Sequence, residues 1–295
     1  MSPRYRNGSW TRGCSLTRSC TKMIGPPWCS SVPSSVAPEN PFVRQAASDR
    51  QLRRFFAGPE YFQGDEVVLP PGETHHALRV LRLPVGARVE VADGCGRIYL
   101  AEIAALEPSK VRLRLLTEVR TERESNLEIT LGLALVRGEV FDLMVRQVTE
   151  MGIHRLIPFR SARSLIRPDS LKKSRLARWR RLAQEALKSS QRQVLPQIEE
   201  PVEFAQVLQG EEDVKIIFWE EQRDDTAGVD LASLPRPERL RALIGPEGGF
   251  SAAEAAAAQK AGFLIMGLGP RRLRVETAAL AAVTVLQYLW GDLGA

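Results

Sequence analysis

The sequence predicts an α/β protein in which a small domain of short β-strands precedes a mainly parallel sheet covered by helices on both faces. Three observations carry this expectation. Between Leu52 and Thr117, short runs of β-formers are separated by Gly, Pro and Asp turns. Beyond about residue 121, apolar strands alternate with helical patterns, as in strand–helix–strand units. Two of the later strands run directly into glycine-bearing loops that open helices. The expected boundaries are 1–48 for an extension, 49–120 for the β domain and 121–295 for the α/β domain.

Residues 1–48 are rich in Ser, Pro, Arg and Gly, lack apolar periodicity, and reach their first acid only at Glu39. Such a composition cannot bury a core, so a disordered or spurious extension is expected. The basic, acid-poor start also resembles a transit peptide, although its prolines and glycines weaken an amphipathic helix. Translation starting further in is a third reading.

The first domain reads as "DEVVLP", "ARVEVADG", "GRIYLAEIAAL" and "KVRLRLL", four short strands that predict a small barrel. A short helix is expected in "ETHHALRVLRL". After the polar link "TEVRTERES", "LEITLGLALV" is an almost continuous apolar strand. "EVFDLMVRQVTEMG" then places Val140, Leu143, Met144, Val148 and Met151 on one helical face. "HRLIPFR", "IIFW", "RALI" and "FLIMGL" supply further strands, and "ETAALAAVTVLQYLW" is the last helix.

Composition narrows the function classes. Of 295 residues, 44% are hydrophobic and 26% charged, which fits a soluble globular chain. A net charge of +6 admits an anionic partner. No apolar run approaches the roughly 20 residues of a membrane span. Cys14, Cys20, Cys29 and Cys95 make no C-x-x-C pair, and His75, His76 and His154 form no H-E-x-x-H pattern. Neither a metal site nor a disulfide framework is expected, and a reducing, cytoplasmic compartment is the default.

The chemistry concentrates in two segments. In "IGPEGGFSAAE", the strand "RLRALI" stops at Gly245-Pro246, and Glu247, Gly248 and Gly249 follow. Ser251 and Glu254 then form a capping box for an alanine-rich helix ending near Gly262. The loop is neither a P-loop nor G-x-G-x-x-G. Glu247 would repel phosphate, so a neutral, cationic or hydroxyl-bearing ligand fits, and so does a tight turn that binds nothing. The second segment, "GLGPRRLRVETA", again joins a strand to a helix. Thr277 could cap that helix and Glu276 favours its dipole. Arg271, Arg272 and Arg274 crowd the same turn, where cations are unfavourable. Two such loops at the carboxyl ends of neighbouring strands would form one pocket.

A third feature is basic. "LKKSRLARWRRLAQEALKSSQRQ" carries eight cations against Glu185, with Leu176, Trp179, Ala183, Ala186 and Leu187 as its apolar face. A solvated face and a phosphate-binding face both account for it. "HHALRVLR" suits RNA stacking and phosphate pairing, or a simple packed-and-exposed histidine pair.

Together these segments resemble the RsmE-type 16S rRNA (uracil-N3) methyltransferases of the SPOUT superfamily. The likeness runs from about Arg53 to Asp292 through "RRFF", "HHALRVLR", "ADGCGRIYLAEI", "VRQVTEMGIHRLIPFRSARS", "RWRRLAQEALKSSQR", "IGPEGGFS" and "LGPRRLRVETA". It implies a PUA-like barrel followed by a trefoil-knotted parallel-sheet domain, and a homodimer. It also implies S-adenosylmethionine held by Gly245, Pro246, Glu247, Gly248, Gly249, Leu268, Gly269 and Leu273. From the chemistry of such a methyl transfer, which needs alignment and a deprotonated imide nitrogen, Arg274 is the candidate for stabilising the uracil anion and Glu276 for positioning or proton removal. The implied RNA-facing set is Arg54, His76, Arg79, Arg82, Arg163, Arg178, Arg181, Arg192 and Arg271, toward 16S rRNA in the small subunit. Arg137, "KSS" at 188–190, Arg272 and Val275 depart from the family pattern. Two other functions stay open, a ribose 2′-O methyltransferase of the same superfamily and a non-catalytic RNA-binding assembly factor.

Overall fold

The computed structural model describes residues 52–121, 123–166, 173–221 and 231–294. The expectation for residues 1–48 lies outside them.

The first sheet has six strands: β1 (Arg54–Phe56), β2 (Phe62–Gln63), β3 (Glu66–Val68), β4 (Arg88–Ala92), β5 (Ile98–Glu107) and β6 (Lys110–Val119), in the order β1-β4-β5-β6-β3-β2. Only the β1–β4 ladder is parallel. No ladder joins β1 to β2 among the described residues. Val89, Val91, Ala101, Ile103, Val111 and Leu113 alternate with exposed or half-buried neighbours, apart from buried Ala92, and bury one face together with Phe55 and Ala77. The "ETHHALRVLRL" segment is helical in two pieces, α1 (Pro71–His75) and a π-type turn over His76–Leu81. It stops at Arg82, which takes a left-handed conformation with φ 49°.

The second sheet has seven strands: β7 (Glu128–Ala134), β8 (Arg155–Arg160), β9 (Gln197–Ile198), β10 (Val202–Glu203), β11 (Val214–Phe218), β12 (Arg239–Ile244) and β13 (Leu264–Met266). The order β10-β8-β7-β12-β11-β13 is parallel throughout, with β9 added beside β8. One face is covered by α2 (Gly138–Glu150), α3 (Lys173–Ser190) and α6 (Val275–Trp290). The other carries α4 (Phe204–Val207) and α5 (Ala252–Lys260), with Phe159, Phe250 and Phe263 in its core. Burial on both faces is why β7 and β12 are apolar almost without interruption.

Two local expectations are corrected. Leu143 is 43% exposed, and α2 instead buries Phe141, Met144, Val145 and Val148. The packing centre has turned toward Trp179, whose ring lies 4.4 Å from that of Phe141. Thr277 does not cap α6. The helix begins two residues earlier, at Val275, and its N-cap is Arg274 with no side-chain cap bond.

Candidate active site

Register decides where the two glycine loops meet. In the β11 ladders, Phe218 pairs with Ile244 of β12 on one side and Met266 of β13 on the other. The carboxyl ends of three adjacent strands are therefore level, and the chains leaving them emerge side by side. Between them is a cavity of about 620 Å³, within the range of a nucleoside-sized ligand.

The loop after β12 is fixed by its own chemistry. The Ser251 hydroxyl accepts from the Glu254 N–H at 3.3 Å, and the Glu254 carboxylate accepts from the Ser251 N–H at 2.9 Å, the capping box expected from sequence. Glu254 also accepts from the Ala162 N–H at 2.8 Å, which ties the loop after β8 to the start of α5. Gly249 has φ 67° and Gly269 has φ 86°, a region that glycine enters without penalty.

All eight residues expected at the cofactor, Gly245, Pro246, Glu247, Gly248, Gly249, Leu268, Gly269 and Leu273, line this cavity. So do Arg274, Glu276 and Arg271. Arg163 joins them from the loop after β8. Phe218, Ile244, Val275 and Ala278 add an apolar wall that the sequence reading did not name, and Glu220 adds an unanticipated acid. The signal for Glu220 was present in "IIFWEE", where an acid directly follows a buried strand.

Electrostatics divide the cavity. Glu220 and Glu247 sit on the loops after β11 and β12, whereas Arg271, Arg272 and Arg274 crowd the loop after β13. None of these three arginines makes an ion pair with a described residue. Arg274 stands at the N-cap of α6, where the helix dipole opposes a cation. Unpaired cations in that position make an anion-receptive edge.

The remaining basic residues fall into two groups. His76, Arg79 and Arg82 are exposed along the π-type turn, and Arg178, Arg181 and Arg175 border a groove on α3. Asp142 accepts from Arg178 Nε at 2.6 Å and from Trp179 Nε1 at 3.1 Å. Arg54 and Arg192 are corrections to the RNA-facing set. The Arg54 guanidinium, with its side chain 6% exposed, is held by Glu90 at 2.6 Å. Arg192 is buried, donates to the Thr149 and Ile153 carbonyls at 2.8 and 3.0 Å, and pairs with Glu124 at 2.8 Å. Both cations are consumed inside the fold. Among the described residues no cluster of metal-ligating side chains occurs, and no helix is long and apolar enough to cross a membrane.

Comparison with known proteins agrees with this geometry. Residues 123–287 match the model of an RNA methyltransferase domain, and residues 69–116 match that of an RNA methyltransferase PUA domain. Ribosomal RNA small subunit methyltransferase E of Bacillus subtilis is 30% identical over 223 residues, covering 73% of this chain and 87% of the relative. The Synechocystis enzyme of the same name is 31% identical over 239 residues, covering 80% and 77%. A crystal structure of the Neisseria gonorrhoeae enzyme of that name, bound to S-adenosyl methionine, superposes with a TM-score of 0.74 at 30% identity, covering 82% of this chain and all of that one. The domain match spans more than half of the sequence, and it takes in both glycine loops and the arginine turn: this chain belongs to the RNA methyltransferase family.

Proposed function

We propose that this chain is an S-adenosylmethionine-dependent methyltransferase acting on N3 of a uridine in small-subunit (16S) rRNA. The observation that carries the reading is a single cavity in which two glycine loops face an unpaired arginine turn. The names of the relatives above and the cofactor in the Neisseria structure support it.

The residues present fit the cofactor. The backbone of Gly245–Gly249 and of Leu268–Gly269 offers close approach without side chains. Phe218, Ile244, Leu273 and Val275 suit a planar base, and Glu220 and Glu247 suit hydroxyls and positive charge. Bound there, S-adenosylmethionine supplies an electrophilic methyl group on a sulfonium.

The chain's own task is alignment and anion stabilisation. In-line displacement needs the attacking nitrogen held on the axis of the bond that breaks. The uracil imide loses its N3 proton with charge spreading to two carbonyl oxygens. Arg274, exposed and unpaired at the rim, donates to such an oxygen. Glu276, half-buried in the first turn of α6, accepts the proton or orders the water that does. Pairing would cover the Watson–Crick edge, so the uridine enters unpaired. His76, Arg79 and Arg82 of a PUA-like RNA-binding domain at 49–120, with Arg178 and Arg181, hold the surrounding RNA. The superfamily resemblance adds a trefoil knot within 121–295, a homodimer and a cytoplasmic setting alongside the ribosomal subunit.

The decisive test is chemical. The protein is incubated with labelled S-adenosylmethionine and small subunits lacking the modification, and the digested RNA is read by mass spectrometry. N3-methyluridine is expected. A methyl group on ribose, or on transfer RNA in preference, overturns the assignment.

A further inference from the structure

The cavity holds a carboxylate that methyl transfer does not call for. Glu220 is the second residue after β11, is half-buried, and makes no hydrogen bond or ion pair with a described residue. Its place is set by its neighbour. The Trp219 N–H donates to the Met266 carbonyl at 2.8 Å, and Trp219 Nε1 donates to the Phe250 carbonyl at 3.1 Å. The end of β11 is thereby pinned to the chains leaving β13 and β12 together. From that anchor the Glu220 carboxylate reaches Gly249 and fills the space that a Cβ there would need. Gly249 is required by its φ of 67°, and its lack of a side chain leaves the Glu220 carboxylate in this place.

Glu220 is half-buried with no donor among the described residues, so a ligand that brings donors in place of water can satisfy it. Glu247 and Glu221 are exposed and keep their water, so Glu220 is the shielded acid on the side of the cavity formed by the loops after β11 and β12. Two acceptor oxygens beside a glycine loop match two adjacent hydroxyls. Dinucleotide-binding folds use the same pairing, an acid at a strand end holding a ribose hydroxyl near a glycine turn.

We propose that Glu220 holds the ribose diol of the cofactor and selects for it. The inference rests on the S-adenosylmethionine reading above, and its test separates the two. Calorimetry is run with S-adenosylmethionine, with S-adenosylhomocysteine and with the 2′-deoxy form of the latter, on the parent protein, Glu220→Ala and Glu220→Gln. The parent is expected to prefer the hydroxylated homocysteine ligand by about tenfold or more, the scale of a hydrogen bond to a charged group. Glu220→Ala should bind that ligand about tenfold more weakly and hold the two forms within about twofold of each other. Glu220→Gln, isosteric and with one amide oxygen left, should fall between, which keeps the test sound if the alanine variant folds poorly. A variant that retains the parent's full preference overturns the proposal. So does a variant that loses S-adenosylmethionine but not S-adenosylhomocysteine, because that places the carboxylate at the sulfonium. A parent that binds neither cofactor form removes the cofactor reading itself.

Discussion

Arg163 Nη1 donates to the Gly248 carbonyl at 2.6 Å, across 85 residues of chain. The arginine stem also packs on the glycine, so a Cβ at Gly248 would lie 3.2 Å from the Arg163 Cβ. A residue expected to face RNA therefore braces the glycine loop after β12, while remaining exposed at the cavity rim. Glu254 holds the same brace from below through Ala162.

Removing the brace should loosen the cofactor before it disturbs the fold. For Arg163→Ala we expect S-adenosylmethionine affinity to fall by roughly fivefold, about 1 kcal/mol for one partly solvated hydrogen bond. Calorimetry on the RNA-free protein checks this, with a thermal melt as control. Unchanged affinity would leave Arg163 to the RNA alone.

Filling the loop should be far more severe. Gly248 is exposed on its outer side and lines the cavity on its inner side. An indole at this position must displace either the Arg163 stem or the ligand. Gly248→Trp should show no measurable S-adenosylmethionine binding while keeping the parent's far-ultraviolet circular dichroism. Binding within about threefold of the parent would mean that this loop does not hold the cofactor.

Arg192 tests the distinction between a structural and an RNA-facing arginine. Its side chain is 5% exposed and satisfies two carbonyls and Glu124, while Glu124 also accepts from the Gln193 and Val194 N–H groups. Arg192→Met leaves an acid without its cation and two carbonyls without donors. We expect a loss of roughly 3 kcal/mol, read as a lower urea midpoint at constant slope. The salt dependence of RNA binding should stay as in the parent. A flattened salt slope without loss of stability would return Arg192 to the RNA.

These cases show where sequence reasoning reaches and where it stops. The glycine loops were legible because strand, turn and N-cap signals lie within ten consecutive residues, as in Leu243 to Ala252. Their convergence was inferred from strand-end rules, and the level register of Phe218, Ile244 and Met266 realises it. Arg54 and Arg192 were misread because their acids, Glu90 and Glu124, lie 36 and 68 residues away. Composition marks a cation and leaves open what neutralises it. Thr277 was misread for a smaller reason. The local preference of threonine for caps yielded to an earlier helix start, which lets Val275 bury against the core.

The α3 groove should govern the salt dependence. Arg175, Arg178 and Arg181 border it. Arg178 and Arg181 also pair with Asp142 and Glu185 yet keep side chains 53% and 66% exposed, whereas Lys188, paired with Glu73, is 20% exposed and is set apart. Each phosphate contact contributes roughly 0.7 to 0.9 to the slope of log affinity against log salt. Replacing the three arginines with alanine should lower the slope by about 2, with cofactor affinity unchanged. An unaltered slope would make α3 a solvated face.

The last prediction concerns the outer side of α6. This helix buries Val275, Ala279, Ala282, Val283, Leu286, Gln287 and Trp290 against its own sheet. Gln287 is fully buried and satisfied, donating to the Met151 and Gly152 carbonyls and accepting from Ser125. That fixes the rotation of the helix, so its other side must face outward. There Val285 is 40% exposed and Tyr288 65% exposed, and Leu143 of neighbouring α2 is 43% exposed. Large apolar groups gathered on adjacent helices are costly in water and are covered when a second copy supplies the same surface. Sedimentation at low micromolar concentration should therefore give twice the chain mass of 32.8 kDa. Val285→Asp with Tyr288→Glu should shift the protein to monomer, because a twofold contact places each new charge close to its copy. The same helix carries Val275, Glu276 and Ala278 into the cavity, so the monomer should also bind S-adenosylmethionine more weakly. A parent protein that sediments as a clean monomer, or a double variant that stays dimeric, would remove α6 as the dimer face.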